Sequence, residues 1–208
     1  MPDFAPVARS PIELPPPLTV VEGWEVSARR SSSALLVVDC SPLAKVLVRA
    51  APNGEAARAL GVPFGRAQRD AARNLVVGSA PGEWLLLGPP SSESALLDRG
   101  EALTGSEFVS VVDVTHSRAL IRLTGADTAR LLVKVCAIDL DDSVTPDGAA
   151  FRSWVANVVT DVVRDDQDGI RSYLLHCDRS SGQYLFDAVT DAGTEFDIDV
   201  DGFRTPGI

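Results

Sequence analysis

Apolar residues in this chain gather into short runs, several of them alternating with polar neighbours. Val20–Ala28, Ala34–Asp39, Lys45–Ala50, Leu75–Gly78, Trp84–Leu87, Phe108–Val114, Arg118–Leu123, Trp154–Val163, Ile170–His176 and Glu195–Val200 are rich in Val, Leu and aromatics. These are the marks of strands with one or both faces buried. Apolar residues recur at helical spacing over Gly54–Leu60, Glu93–Leu103, Ala126–Val135 and Gly182–Ala192, which predicts four helices. Before Leu18 the pattern is absent. Residues 1–17 hold Pro2, Pro6, Pro11, Pro15, Pro16 and Pro17 and read as an extended, proline-rich arm, mobile unless it lies on a partner.

Local signals punctuate these elements. Thr124-x-x-Asp127 and Ser180-x-x-Gln183 have the spacing of capping boxes, and Ser91 or Ser92 can cap the helix after Pro89-Pro90. Asp168-Gly169 reads as a tight hairpin turn. The order strand, helix, strand, strand, helix, strand occurs twice, as two β-α-β-β-α-β halves. Trp84–Asp98 and Tyr173–Asp187 share Leu-Leu, Ser-Ser, Leu and Asp at equivalent places, and Lys45–Arg49 resembles Arg118–Arg122. The repeat predicts an internal duplication, with halves at about 40–114 and 115–201 of a single α+β domain spanning 18–208. With no linker between Val114 and Arg118, the halves are expected to pack as one body.

Composition narrows the function. Of 208 residues, 45% are hydrophobic, enough for a sizeable core, yet no run approaches a membrane span. The net charge of −10 excludes a nucleic-acid binder, which needs basic patches against phosphates. The start lacks the basic and apolar regions of a secretory signal, so a cytoplasmic location is expected. Cys40, Cys136 and Cys177 are widely spaced and odd in number, which argues against a disulfide framework or a zinc ribbon. A mixed site with His116 and His176 would need four ligands from distant segments. No glycine-rich dinucleotide loop, phosphate-binding loop or nucleophile elbow is present.

Few residues remain as chemical candidates. Neighbours in a strand point to opposite faces, so His176 and Cys177 cannot pair with each other. Asp139, Asp141 and Asp142 could supply paired carboxylates or a solvated loop. Asp165-Asp166-Gln167-Asp168-Gly169 begins like a calcium loop but lacks the closing glutamate. Asp113 interrupts an apolar run; it either accepts bonds from amides of the next turn or contacts a ligand. Trp84 reads as core, its indole N–H finding an acceptor. No catalytic residue and no metal site is assigned.

Several segments together resemble the gamma subunit of heterotetrameric sarcosine oxidase. They are Arg9–Ile12, Gly82–Leu87, Val112–Thr115, Leu123–Asp127, Leu131-Leu132, Cys136–Leu140 and Arg179–Leu185, spread over roughly residues 9–196. That family is similar to the folate-binding domain of the glycine-cleavage aminomethyltransferase, whose α+β fold is thereby implied. The resemblance implies an oxidoreductase complex acting on CH–NH donors, with alpha, beta and delta partners. FAD, FMN, NAD, tetrahydrofolate and zinc are implied in those partners and no cofactor in this chain. The complex is expected to convert sarcosine to glycine with O2 and tetrahydrofolate, with this chain structural and not the redox centre. Asp139 matches the position where aminomethyltransferases place an aspartate against folate, although Ala137-Ile138 replace the polar pair before it. A stand-alone folate-binding or aminomethyltransferase-like protein is the alternative.

Overall fold

The computed structural model describes residues 6–105 and 107–206. The first five residues of the arm and the last two of the chain lie outside the described residues. The strands are β1 (Ala8–Arg9), β2 (Leu18–Val21), β3 (Trp24–Ser27), β4 (Leu36–Asp39), β5 (Ala44–Arg49), β6 (Ala67–Arg69), β7 (Leu75–Ala80), β8 (Glu83–Gly88), β9 (Ser110–Asp113), β10 (Arg118–Thr124), β11 (Ala150–Val155), β12 (Val158–Arg164), β13 (Ser172–Asp178) and β14 (Asp199–Val200). The α-helices are α1 (Glu55–Leu60), α2 (Glu93–Glu101), α3 (Thr128–Leu132) and α4 (Gly182–Ala192).

Two large sheets form the body. One has the order β6-β7-β8-β5-β9 and the other β11-β12-β13-β10-β4-β14; β1, β3 and β2 form a small third sheet. Alternation along each strand sends side chains to two different cores. From β8, Leu85 and Leu87 join Leu120, Val163 and Leu174 between the large sheets. Trp84 and Leu86, one residue out of phase, join Leu60 and Leu96 under α1 and α2. On the far side Ile121, Leu123, Tyr173 and Leu175 pack with Leu131, Leu132, Leu185, Phe186 and Val189 of α3 and α4. The layers are therefore helices, sheet, sheet, helices. Strands covered on both faces explain why β5, β8 and β13 read as nearly continuous apolar runs.

The repeat is visible in the pairing. Each sheet carries a four-strand block of the same order, β6-β7-β8-β5 and β11-β12-β13-β10. Each block is extended by one antiparallel strand, β9 on β5 and β4 on β10. The positional counterpart of β9 is thus β4, and β14 lies outside it, parallel to β4. Since β4 leads into β5 and β9 leads into β10, the two lead strands are exchanged between the sheets. The register also corrects the sequence match. Leu47 faces Leu85 and Arg122 faces Leu174, so Leu47 corresponds to Arg122 and not to Leu120. A two-residue offset keeps every side chain on its face, so the pattern alone could not detect it.

Several predicted elements change. Val20–Ala28 and Trp154–Val163 are not single strands but parts of hairpins. Glu22 and Gly23 turn the first, and Ala156 and Asn157 the second, all four with positive φ. Such mirror-image turns match the twist of paired strands. Asp168-Gly169 makes the same kind of turn, as its sequence predicts. Glu195–Val200 is mostly a 3-10 turn with a left-handed Asp197, leaving only β14 extended. The capping boxes do not form. Thr124 Oγ1 lies 3.1 Å from Ser172 Oγ, Asp127 bonds Arg130, and Gln183 bonds the Glu13 amide and Asp187. Ser92 donates to the Pro89 carbonyl instead of capping α2. The arm from residue 6 onward lies on the chain's own body. β1 runs parallel to β3, Ile12 is buried in the α4 core, and Arg179 donates to the Arg9 carbonyl.

Candidate functional site

At one end of the sandwich a cleft of about 220 Å³ opens between the inner faces of the two large sheets. The five-stranded sheet contributes Leu47, Arg49, Ser79, Glu83 and Leu85; the six-stranded sheet contributes Arg118, Arg152, Val159, Asp161, His176 and Asp178. Strand pairing places these groups. Arg49 sits opposite Glu83, Arg152 opposite Asp161, Asp161 opposite His176, and Arg118 opposite Asp178.

The polar groups form a chain across both sheets. Glu83 accepts from Arg49 Nε at 2.9 Å and from Ser79 Oγ at 3.0 Å. Arg152 Nη2 reaches Glu83 at 3.3 Å while its Nε donates to Asp161 at 2.6 Å. Asp161 Oδ2 lies 3.4 Å from Nδ1 of His176. Arg118 and Asp178 close the line with an ion pair. Burial alone would raise the Glu83 and Asp161 carboxyls. Hydrogen bonds from Arg49 and Ser79, and from His176 and Arg152, outweigh it and hold both below the ordinary range. Burial pushes His176 down, and Asp161 only partly offsets this. The imidazole is therefore neutral at pH 7, with its Nδ1 proton toward Asp161 and a lone pair on Nε2. That Nε2 is buried and has no partner among the described residues.

Two further polar clusters are structural. Lys45, fully buried, donates to the carbonyls of Ser41 (2.8 Å) and Leu43 (2.6 Å), and burial pushes it down to about 8. Neighbouring Asp39 is raised by burial and accepts from the Ser41 amide. The acidic run at 165–169 is an ion-pair centre and not a cation loop. Asp165 binds Arg69 and Arg122 at 2.8 Å, and Asp166 pairs with buried Arg164. Among the described residues no three His, Cys, Asp or Glu side chains converge to hold a metal ion.

The remaining candidates separate. Asp139 stands on an exposed loop after α3, its Oδ1 accepting from the Asp141 amide at 2.9 Å, outside the cleft. Asp141 bonds Ser143, and Asp142 pairs with Arg164 and Arg171, so the three acids do not share a site. Asp113 accepts from the Thr115 amide at 2.8 Å, the first of its two sequence readings, and the Trp84 indole donates to the Val62 carbonyl at 2.7 Å, as the sequence predicts. All three cysteines are buried thiols. His176 and Cys177 do face opposite ways, the thiol toward the α4 core and the imidazole toward the cleft. The Glu83–Arg152–Asp161–His176 line was not foreseen. Its available signal was Arg152 and Asp161, which a hairpin centred on Ala156-Asn157 brings opposite each other.

Two helix-flanked sheets with exchanged lead strands make this an α+β sandwich whose fold is shared by two solved structures. Aminomethyltransferase T of the glycine cleavage system from Bartonella henselae superposes with a TM-score of 0.68 at 11% identity, over 89% of this chain and 55% of that one. A chain of the heterotetrameric sarcosine oxidase from Corynebacterium sp. U-96, in complex with pyrrole 2-carboxylate, superposes with a TM-score of 0.68 at 24% identity, over 81% of this chain and 89% of that one. At these identities the likeness is one of fold. Human mitochondrial dimethylglycine dehydrogenase is 28% identical over 122 residues, 58% of this chain and 14% of that protein's length. Residues 51–195 match the model of the sarcosine oxidase, gamma subunit family, and the chain belongs to that family.

Proposed function

We propose that this chain is the gamma subunit of a heterotetrameric sarcosine oxidase, assembled with alpha, beta and delta chains. The family match over residues 51–195 carries this reading. The complex demethylates sarcosine to glycine with O2 and tetrahydrofolate, using FAD, FMN, NAD and zinc held by the partners. This chain supports that chemistry without being its redox centre. No dinucleotide or phosphate-binding loop interrupts its strands, and the acids and arginines of its cleft largely satisfy one another. We place the complex in the cytoplasm; no helix among the described residues is long and apolar enough to cross a membrane. We read residues 18–208 as one domain with halves at about 40–114 and 115–201. Affinity capture from the native host tests the proposal. Stoichiometric recovery with a yellow, sarcosine-oxidising partner is expected. A purified chain that is itself yellow, or that oxidises sarcosine alone, would overturn it.

The likeness to aminomethyltransferase T favours a second reading, a folate-binding protein in which Asp139 meets the folate. One carboxylate oxygen of Asp139 remains for such a contact. Tetrahydrofolate titration decides it: absence of binding by the chain, or equal binding by Asp139→Asn, removes this reading.

A further inference from the structure

On the helix side of the five-stranded sheet, away from the cleft, a groove of about 520 Å³ runs between α1 and the β7–β8 turn. Phe64, Pro52, Pro63 and Pro81 line it, with buried Trp84 behind them. Phe64 is 60% exposed, yet its backbone is rigidly held. It belongs to the turn Pro63–Arg66, closed by the Arg66 amide on the Pro63 carbonyl at 3.2 Å, with Gly65 at positive φ. The Gly65 amide donates to the Gly78 carbonyl at 2.9 Å and the Gly78 amide to the Arg66 carbonyl at 2.8 Å, which ties the turn to β7. A Cβ on Gly78 would stand 2.3 Å from the Pro63 carbonyl oxygen, so the turn lies flush against the strand. The opposite wall is as stiff, since Gly82, also at positive φ, has no room for a side chain against the Ala50 carbonyl. A phenyl ring held in water adds little to folding, and it loses little further freedom when a partner covers it. Rigid aromatic anchors of this kind dominate the energetics of protein interfaces.

Charge narrows what can lie there. Elsewhere, exposed apolar side chains stand beside closed ion pairs: Trp154 and Val159 next to Arg152–Asp161, and Val20 opposite the Glu25 that holds Arg9. In the groove, Arg58 is the one charged residue among the described residues that line it. Its Nη1 donates to the Asn53 carbonyl at 2.9 Å, and no carboxylate among the described residues pairs with it. Glu55, one turn earlier in α1, is turned toward Gly105. On a chain of net charge −10, this is an apolar groove with an uncompensated cation. A guanidinium with open N–H donors favours a carboxylate, and the proline and aromatic walls favour an apolar side chain. We propose that this groove is the docking site for a segment of another subunit, one that inserts an apolar side chain flanked by a carboxylate. The apolar group packs on Phe64 and the prolines, and the carboxylate pairs with Arg58. The inference rests on the reading of this chain as a subunit and adds which face it uses.

The complex captured from the native host through this chain provides the test. Hydroxyl-radical oxidation of Phe64 is compared between the free chain and the intact complex. Phe64 is expected to be oxidised readily in the free chain and, in the complex, as little as buried Phe186. Phe64→Ser and Arg58→Glu alter exposed side chains and should keep the urea midpoint of the wild type. Each is expected to weaken partner recovery at least about tenfold, as loss of an interface anchor does. Arg58→Lys keeps the charge and should recover more partner than Arg58→Glu. A complex in which Phe64 is oxidised as in the free chain, or which both variants join undiminished, overturns the proposal and leaves the subunit reading standing. Protection of Phe64 in the isolated chain as it dimerises assigns the groove to a second copy and overturns the proposal too. If the wild-type chain recovers no partner, the subunit reading falls and takes this inference with it.

Discussion

The Asp165 cluster offers a quantitative test of how this fold tolerates buried charge. Asp165 and Arg122 are both buried, and Asp165 also holds the less buried Arg69. Arg122 further donates to the Ser172 hydroxyl at 3.0 Å and to the Asp165 carbonyl. Asp165→Asn preserves shape but leaves two guanidiniums facing a neutral amide. Removing one partner of a buried pair costs about 3–5 kcal/mol, because the other charge remains desolvated. Arg122→Met leaves Asp165 still paired with Arg69, so its cost is expected to be about 1–2 kcal/mol. The double variant should lose less than the two singles together, since one of the two stranded guanidiniums has gone and only the less buried Arg69 remains. Urea unfolding followed by tryptophan fluorescence measures all three. With a slope of about 2 kcal/mol per molar, Asp165→Asn moves the midpoint down by about 1.5–2.5 M. A loss below about 1 kcal/mol for Asp165→Asn, or an equal loss for Arg122→Met, would refute the reasoning. Calcium should leave the wild-type midpoint unchanged, because the carboxylate is already satisfied by arginine.

Other features give simpler tests. Ala156 adopts a left-handed conformation at the β11–β12 turn, and Ala156→Gly should raise stability by about 1 kcal/mol in the same urea assay. His176 has a lowered pKa because it is buried, with Arg118 and Lys45 adding repulsion and Asp161 opposing. The unfolded chain then binds a proton below pH 6.5 that the folded chain refuses, so stability falls as pH drops below 6.5. Urea midpoints across that range should show a slope of up to about 1.4 kcal/mol per pH unit that is missing in His176→Gln. Burial pushes the Cys40 and Cys177 thiols up to about 11, so a thiol reagent at pH 8 should label neither until the chain unfolds; rapid labelling of either would show the burial to be wrong.

The α+β class, the four helices and most strands were legible because burial imposes its period on the residues. Leu85 and Leu87 read as core because a sheet covers them, and Trp84 and Leu86 because helices do. The hairpins at Glu22-Gly23 and Ala156-Asn157 were hidden because a mirror-image turn interrupts an apolar run by only two residues, although Gly23 and Asn157 are residues that such turns favour. Ala156 in particular carries none of the usual turn chemistry. The capping boxes failed for a different reason. Thr124 lies at the end of β10, where a neighbouring strand offers Ser172, and tertiary pairing outcompeted the local bond. The cleft was illegible because Glu83 and Arg152 are far apart in sequence and meet only when the two sheets face each other. Chain adjacency carries no trace of that meeting.

The exchange of β4 and β9 has a topological consequence. Divided between α2 and β9, the part that ends at α2 holds β4 of the six-stranded sheet and the part that begins at β9 holds a strand of the five-stranded sheet, so the two are linked like clasped hands and not merely stacked. Cutting the chain between α2 and β9 would not release two bodies. The fragments would stay intertwined at concentrations where a stacked pair would part, and separating them would require opening both sheets. An assembly that uses this chain as scaffold thereby gains a part that does not come apart along its own seam.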